Sequence, residues 1–132
     1  LALPAAAQTV RFGDNSSEYA RDGECDDRRF VGSAMDTELD NDDIMHDAAD
    51  CRKAFQAGTI KFIDSTAAKA ATVCSKINFG NNASEWSRDG ECDDYRFDGT
   101  GMSSVISVDD IKKDATDCKR LCNAGLLYLR DY

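Results

Sequence analysis

Displaced by 67 residues, this chain matches itself without a gap. Phe12-Gly13 falls on Phe79-Gly80, and Arg21-Asp22-Gly23-Glu24-Cys25-Asp26-Asp27 falls on Arg88-Asp89-Gly90-Glu91-Cys92-Asp93-Asp94. Further on, Arg29-Phe30, Gly32 and Met35 return as Arg96-Phe97, Gly99 and Met102. Asp42-Asp43-Ile44, Asp47-Ala48 and Asp50-Cys51 return as Asp109-Asp110-Ile111, Asp114-Ala115 and Asp117-Cys118. Positions 12–58 and 79–125 share 25 identities in 47. The expectation is a tandem duplication: repeat 1 at 9–63, a linker rich in Ala, Ser, Thr and Lys at 64–75, and repeat 2 at 76–132. Each copy is then about 60 residues, a size at which an apolar core alone is marginal.

The six cysteines supply what such halves lack. No Cys-x-x-Cys pair exists and His46 is the only histidine, so a zinc site is disfavoured and a disulfide framework expected. Because Cys25 and Cys51 map onto Cys92 and Cys118, the symmetric pairing is Cys25–Cys51 and Cys92–Cys118. Cys74 and Cys122, whose counterparts are Ala7 and Phe55, are left for each other. Closing loops of these lengths restricts the unfolded chain by about 3.5 kcal/mol for each repeated bridge and about 4 kcal/mol for the third. Disulfides require an oxidising compartment, which makes the protein secreted or periplasmic. Residues 1–8, Leu-Ala-Leu-Pro-Ala-Ala-Ala-Gln, read as the remnant of a signal peptide or as a flexible arm.

The fold class expected is α+β, a small disulfide-stapled tandem repeat with one main helix and two short strands per copy. Thr9–Phe12 and Lys76–Phe79 read as first strands, and 59–63 and 126–129 as second strands. Asn15-x-x-Glu18 and Asn82-x-x-Glu85 read as capping boxes of a short turn. Main helices are expected from about Asp40 and Ser107 to Gly58 and Gly125, with Ile44, Ala48, Cys51 and Phe55 as the first apolar stripe. The second stripe is Ile111, Ala115, Cys118 and Cys122, and part of the linker reads as helical.

Chemistry is to be sought among the acids. On a continuous helix Asp43, Asp47 and Asp50 share one face, as do Asp110, Asp114 and Asp117, and like charges so placed repel. A Cys25–Cys51 bridge draws Asp50 toward Asp26 and Asp27, with Asp22 and Glu24 close by. The candidate metal ligands are therefore Asp22, Glu24, Asp26, Asp27, Asp47 and Asp50, and in the second copy Asp89, Glu91, Asp93, Asp94, Asp114 and Asp117. A hard cation with six to eight oxygen ligands, Ca²⁺ before others, would relieve the repulsion. Gly23 and Gly90 would let loop carbonyls turn inward. The pattern is not an EF-hand: counted from Asp22, positions 6 and 12 hold Asp27 and Ser33 instead of Gly and Glu. Against the cation stand Arg21/Arg88 and Arg29/Arg96, which could neutralise the same carboxylates.

Other features point elsewhere. A net charge of −9 disfavours nucleic acid and anionic lipid as partners. His46 maps onto Lys113, and no repeated nucleophile–base pair is visible, so an enzyme is not expected. Asn15 and Asn82 also stand in Asn-x-Ser sequons, for which capping is the preferred explanation. Tyr19/Trp86, Phe30/Phe97 and Met35/Met102 read first as core, with Tyr19, Trp86 and Tyr95 as candidate contacts for a protein or glycan.

The pattern R-D-G-E-C-D-D-x-R-F-x-G-x-x-M followed by D-A-x-D-C resembles tandem disulfide repeats of exported bacterial proteins, a family with no established activity. That resemblance implies export and repetition. Asp22-Gly23 with Cys25-Asp26 also resembles the short D-x-D-G-x-x-C-E calcium motifs of small secreted bacterial modules, which would imply Ca²⁺. The expected function is a calcium-stabilised, non-catalytic module that docks a protein or glycan. The alternative is a metal-free structural or inhibitory module whose acidic face binds a basic protein. Peptide mapping without reductant should recover 25–51, 92–118 and 74–122; a bridge from Cys25 to Cys118 would break the two-copy picture.

Overall fold

A computed structural model describes residues 10–132, so residues 1–8 and Thr9 lie outside the described part. It contains helices, short strands and the three expected disulfides, Cys25–Cys51, Cys74–Cys122 and Cys92–Cys118. The chain divides into two compact units between Asp64 and Ser65. No helix among the described residues is long and apolar enough to cross a membrane.

In the first unit, β1 (Phe30–Gly32) pairs antiparallel with β3 (Ile60–Phe62), placing Phe30 opposite Phe62 and Gly32 opposite Ile60. Between them lie β2 (Glu38–Asp40), a 3-10 turn at Asn41–Asp43 and helix α1 (Ala48–Ala57). The core forms where β1 meets α1. Phe30, fully buried, stacks on Phe12 at 5.6 Å and meets Phe55 and Phe62 edge-on at 6.0 and 5.4 Å. Leu39, Ala48, Cys51 and Ile60 complete it.

The second unit begins with α2 (Ser65–Ala71) and a 3-10 turn at Cys74–Lys76. Strand β4 (Cys92–Asp94) pairs in parallel with β6 (Met102–Ser107), and β5 (Phe97–Asp98) pairs antiparallel with β7 (Tyr128–Leu129). Helix α3 spans Ala115–Asn123 after a 3-10 turn at Val108–Asp110. Phe97, fully buried, stacks on Phe79 at 5.7 Å, and Met102, Ile106, Leu121 and Leu127 are also buried in this unit. Cys122 occupies the position that Phe55 holds in the first unit, so the third disulfide stands where the first unit adds an aromatic ring. Helix α2 is tied down by Thr72, whose hydroxyl accepts the Leu129 amide at 2.9 Å, and buries Ala68.

Several expectations need correction. No strand forms at 10–12 or at 76–79; only isolated bridges join Gly13 to His46 and Gly80 to Lys113. Those glycines adopt φ +82°, and a Cβ at either would run into the carbonyl of Met45 or Lys112. The main helices do not start at Asp40 and Ser107. Met45 and Lys112 have positive φ, +65° and +60°, which breaks the helical path after each 3-10 turn and leaves Ile44 and Ile111 outside the helices. Strands at Phe30 and Phe97, and the pair β4–β6, exceed the two strands per copy expected. Tyr19 and Trp86 are not core: both are about half exposed, while Phe30, Phe97, Met35 and Met102 are buried.

Removing the ring at the centre of this packing should be costly. Phe30→Ala should lower unfolding stability by about 3–5 kcal/mol in urea titration, and Phe62→Ala, at the exposed edge, by clearly less. Equal losses would place the core elsewhere.

Candidate metal centre

The acidic loop reaches the helix because carboxylates at the helix start accept its backbone amides. Cys25 and Cys51 bring their Cα atoms to 4.6 Å, and Asp47 Oδ2 then accepts the Asp26 N–H at 2.8 Å. One turn along, Asp50 Oδ2 accepts the Asp22 N–H at 2.9 Å, and Asp22 Oδ1 accepts the Glu24 N–H at 3.0 Å. Gly23 at φ +93° lets the chain turn between them. Asp27 faces the other way. It takes the Met45 N–H at 2.9 Å and binds Arg29 through two nitrogens, the shortest contact being 2.7 Å.

The second unit repeats each contact 67 residues on. Asp114 accepts the Asp93 amide at 2.8 Å, Asp117 that of Asp89 at 2.9 Å, and Asp94 that of Lys112 at 2.9 Å while binding Arg96. Cys92 and Cys118 lie 4.7 Å apart between Cα atoms.

Asp47 and Asp114 are the N-cap residues of α1 and α3, yet neither caps its own helix. That role falls to Asn15 and Asn82, whose Oδ1 atoms accept the Ala49 and Thr116 amides at 2.9 and 3.0 Å. The expected capping boxes are thereby corrected: the local turns are closed by Ser17 and Ser84, which accept the Tyr19 and Trp86 amides. Outsourcing the cap frees Asp47 and Asp114 to hold the loop. The acids also do not share one helical face, since Asp43 and Asp110 sit in the 3-10 turns and Asp47 and Asp114 precede the helices.

Burial makes this arrangement electrostatically demanding. Asp26, Asp27, Asp47, Asp93, Asp94, Asp114 and Asp117 are all buried. Asp27 and Asp94 have their arginines. Asp26 Oδ2, Asp47 Oδ1, Asp93 Oδ2 and Asp114 Oδ1 are buried with no hydrogen-bond partner. A buried carboxylate oxygen without a proton, donor or cation costs several kcal/mol. The titrations respond accordingly. Burial, together with hydrogen bonding to Asp36 and repulsion from Asp22, pushes Asp26 up. Burial likewise raises Asp47, and it raises Asp93 to about 6 and Asp114 to about 7.

Among the described residues, carboxylate oxygens of Asp22, Asp26 and Asp36 lie within 4.8 Å of one another. Asp36 is absent from the ligand set expected from sequence because its counterpart is Ser103. The signal that could have placed it is its position after Met35, which bridges Cys25 and so runs beside the loop. Asp47 and Asp114 also approach the disulfide sulfurs, but sulfurs bonded to each other offer no thiolate to a metal. Glu24 and Glu91 are exposed at the loop tips, outside the Asp22–Asp26–Asp36 group. Arg21 and Arg88 form no ion pair with these acids among the described residues; both adopt left-handed backbone, φ +65° and +62°.

Of the candidate contact residues, Tyr19 and Trp86 stand at corresponding exposed positions. Tyr95 is half-buried, and its ring carries the guanidinium of buried Arg130 at 4.7 Å. Ser16, His46 and Asp14 do meet, but Ser16 Oγ and Asp14 Oδ1 both contact His46 Nδ1, at 2.8 and 2.7 Å. A relay needs the acid on one ring nitrogen and the nucleophile on the other. Here the contacts with His46 and Ser16 hold Asp14 at about 2.

Comparison with protein-family models, with curated proteins and with solved structures finds no match. The three disulfides fit an oxidising environment.

Raised carboxyl pKa values fix the sign of the pH response. A group protonated more readily in the fold than in the unfolded chain contributes stability at low pH, which is lost as pH rises toward the folded value. With metal chelated, the melting midpoint should therefore fall as pH rises from about 4, the ordinary value of an unfolded carboxyl, through about 6 and about 7, the values of Asp93 and Asp114. Asp93→Asn should flatten that fall. A midpoint that climbs across the same window in thermal melts would contradict the burial argument.

Proposed function

We propose that the chain is a secreted or periplasmic, non-catalytic binding module, built as a tandem duplication and stabilised by calcium at its acidic loops. The observation that carries this reading is the set of buried, partnerless carboxylate oxygens on Asp26, Asp47, Asp93 and Asp114. Natural cores rarely leave such atoms unsatisfied, and here they recur at corresponding positions of the two units. The donors are all carboxylate oxygen, which suits a hard cation, and Asp22 and Asp89 are exposed at the loops, where water can fill the remaining coordination positions. Millimolar calcium outside cells would fill even a weak site. Exposed Tyr19 and Trp86, beside the loops, are the surface offered to a protein or glycan partner.

A second reading has its own support. Asp27 and Asp94 are neutralised by arginine, and Asp47, Asp50, Asp114 and Asp117 each accept a loop amide. On that view the acids are braces, the orphan oxygens hold protons, and the module is metal-free with an acidic face for a basic protein.

Thermal melts separate the two. A ligand that binds only the folded state at 100 times its dissociation constant stabilises by about 2.7 kcal/mol, a shift of several degrees for a chain of this size. Calcium should raise the midpoint above that in sodium or magnesium at equal ionic strength, and Asp26→Asn with Asp93→Asn should abolish most of the rise. Identical midpoints in all three salts would leave the brace reading standing.

A further inference from the structure

The two units differ where a cation would sit, and the difference rests on side-chain placement. In the first unit Asp22, Asp26 and Asp36 bring carboxylate oxygens within 4.8 Å of one another. Asp26 is 2% exposed and its Oδ2 has no hydrogen-bond partner, so the group contains a buried acceptor with nothing to accept. Asp22 is exposed and Asp36 half-buried, which leaves the group open to solvent from one side. In the second unit Ser103 replaces Asp36, exchanging a charged ligand for a neutral hydroxyl. In that unit a guanidinium also reaches the loop. Arg120 donates to the Gly90 carbonyl at 3.2 Å and stands 4.0 Å from Asp117. Lys53 occupies the corresponding place in the first unit.

We infer that the duplicated sites have diverged: the first unit holds the strong divalent-cation site, through Asp22, Asp26 and Asp36, and the second is a weak relic of it. This rests on the calcium reading above and adds the ligand set and the stoichiometry. Affinity in oxygen sites follows the number of charged ligands, so losing one carboxylate of three is the dominant change.

Reciprocal exchange tests it on the full-length chain. Calcium titration by calorimetry, with ions counted by native mass spectrometry, should find one ion bound by wild type with a dissociation constant of about 10⁻⁴–10⁻³ M or tighter. Asp36→Ser should weaken that ion about tenfold or more, and Ser103→Asp should bring a second ion into the same range. Near-ultraviolet circular dichroism reports whether each variant is folded; should Asp36→Ser fail to fold, the gain or absence of a second ion in Ser103→Asp decides. Two equal sites in wild type, an unchanged affinity in Asp36→Ser, or no gain in Ser103→Asp would overturn the divergence while leaving calcium binding intact. No calcium bound by wild type at millimolar concentration would overturn the calcium reading itself.

Discussion

The Asp26 amide and the Asp47 carboxylate meet at 2.8 Å beside the Cys25–Cys51 bridge, and the geometry of the first unit follows from that contact. The disulfide fixes the distance between loop and helix, and the hydrogen bond fixes the orientation. A bridge alone would leave the loop free to pivot about the sulfurs. With Asp50 holding the Asp22 amide a turn away, the loop is pinned at two points to one end of α1. The same pins hold the second unit, through Asp114 and Asp117. Using Asp47 and Asp114 in this way leaves the helix ends uncapped, which explains why Asn15 and Asn82 reach across from 34 residues earlier.

Pinning a loop with carboxylates brings negative charge into the interior, and two solutions coexist. Asp27 and Asp94 are matched by Arg29 and Arg96, whose guanidinium groups also lie 5.6 and 5.2 Å from the rings of Phe30 and Phe97. Charge and core are thus joined through arginine, the side chain suited to both. No such partner reaches Asp26 Oδ2 or Asp93 Oδ2. A proton or an external cation is the physical remedy left, and the choice between them ties the stability of the fold to its surroundings.

The units solve the size problem differently. The first gathers Phe12, Phe30, Phe55 and Phe62 about one point. The second lacks counterparts of Phe55 and Phe62, having Cys122 and Leu129 there, and closes the gap with the Cys74–Cys122 bridge and helix α2. An aromatic ring lowers the energy of the folded state, whereas a cross-link raises that of the unfolded state. Either route serves a core too small to stand alone.

Disulfide connectivity was legible in the sequence because an offset of 67 residues makes one solution symmetric: cysteines that repeat are expected to pair within their own copies, which leaves Cys74 for Cys122. The closing strands were legible in part, as β3 within 59–63 and β7 within 126–129, and Gly58 caps α1 as expected, whereas α3 ends at Asn123 with Ala124 as its cap and Gly125 one residue beyond. The helix starts were not legible. Asp40 and Ser107 do cap something, but only a 3-10 turn, because the Met45 and Lys112 amides are claimed by Asp27 and Asp94, 18 residues away. Asp36 was missed for a related reason: a comparison of copies highlights what both retain, and Asp36 matters as a residue that only one possesses. The sequence by itself determined the cross-links, the class of fold and the concentration of acid at the loops. Which carboxylates take loop amides and which oxygens are left without a partner was decided by tertiary structure, since the amide contacts span 18 to 28 residues, whereas the arginine pairs lie two residues apart and were within reach of a local reading.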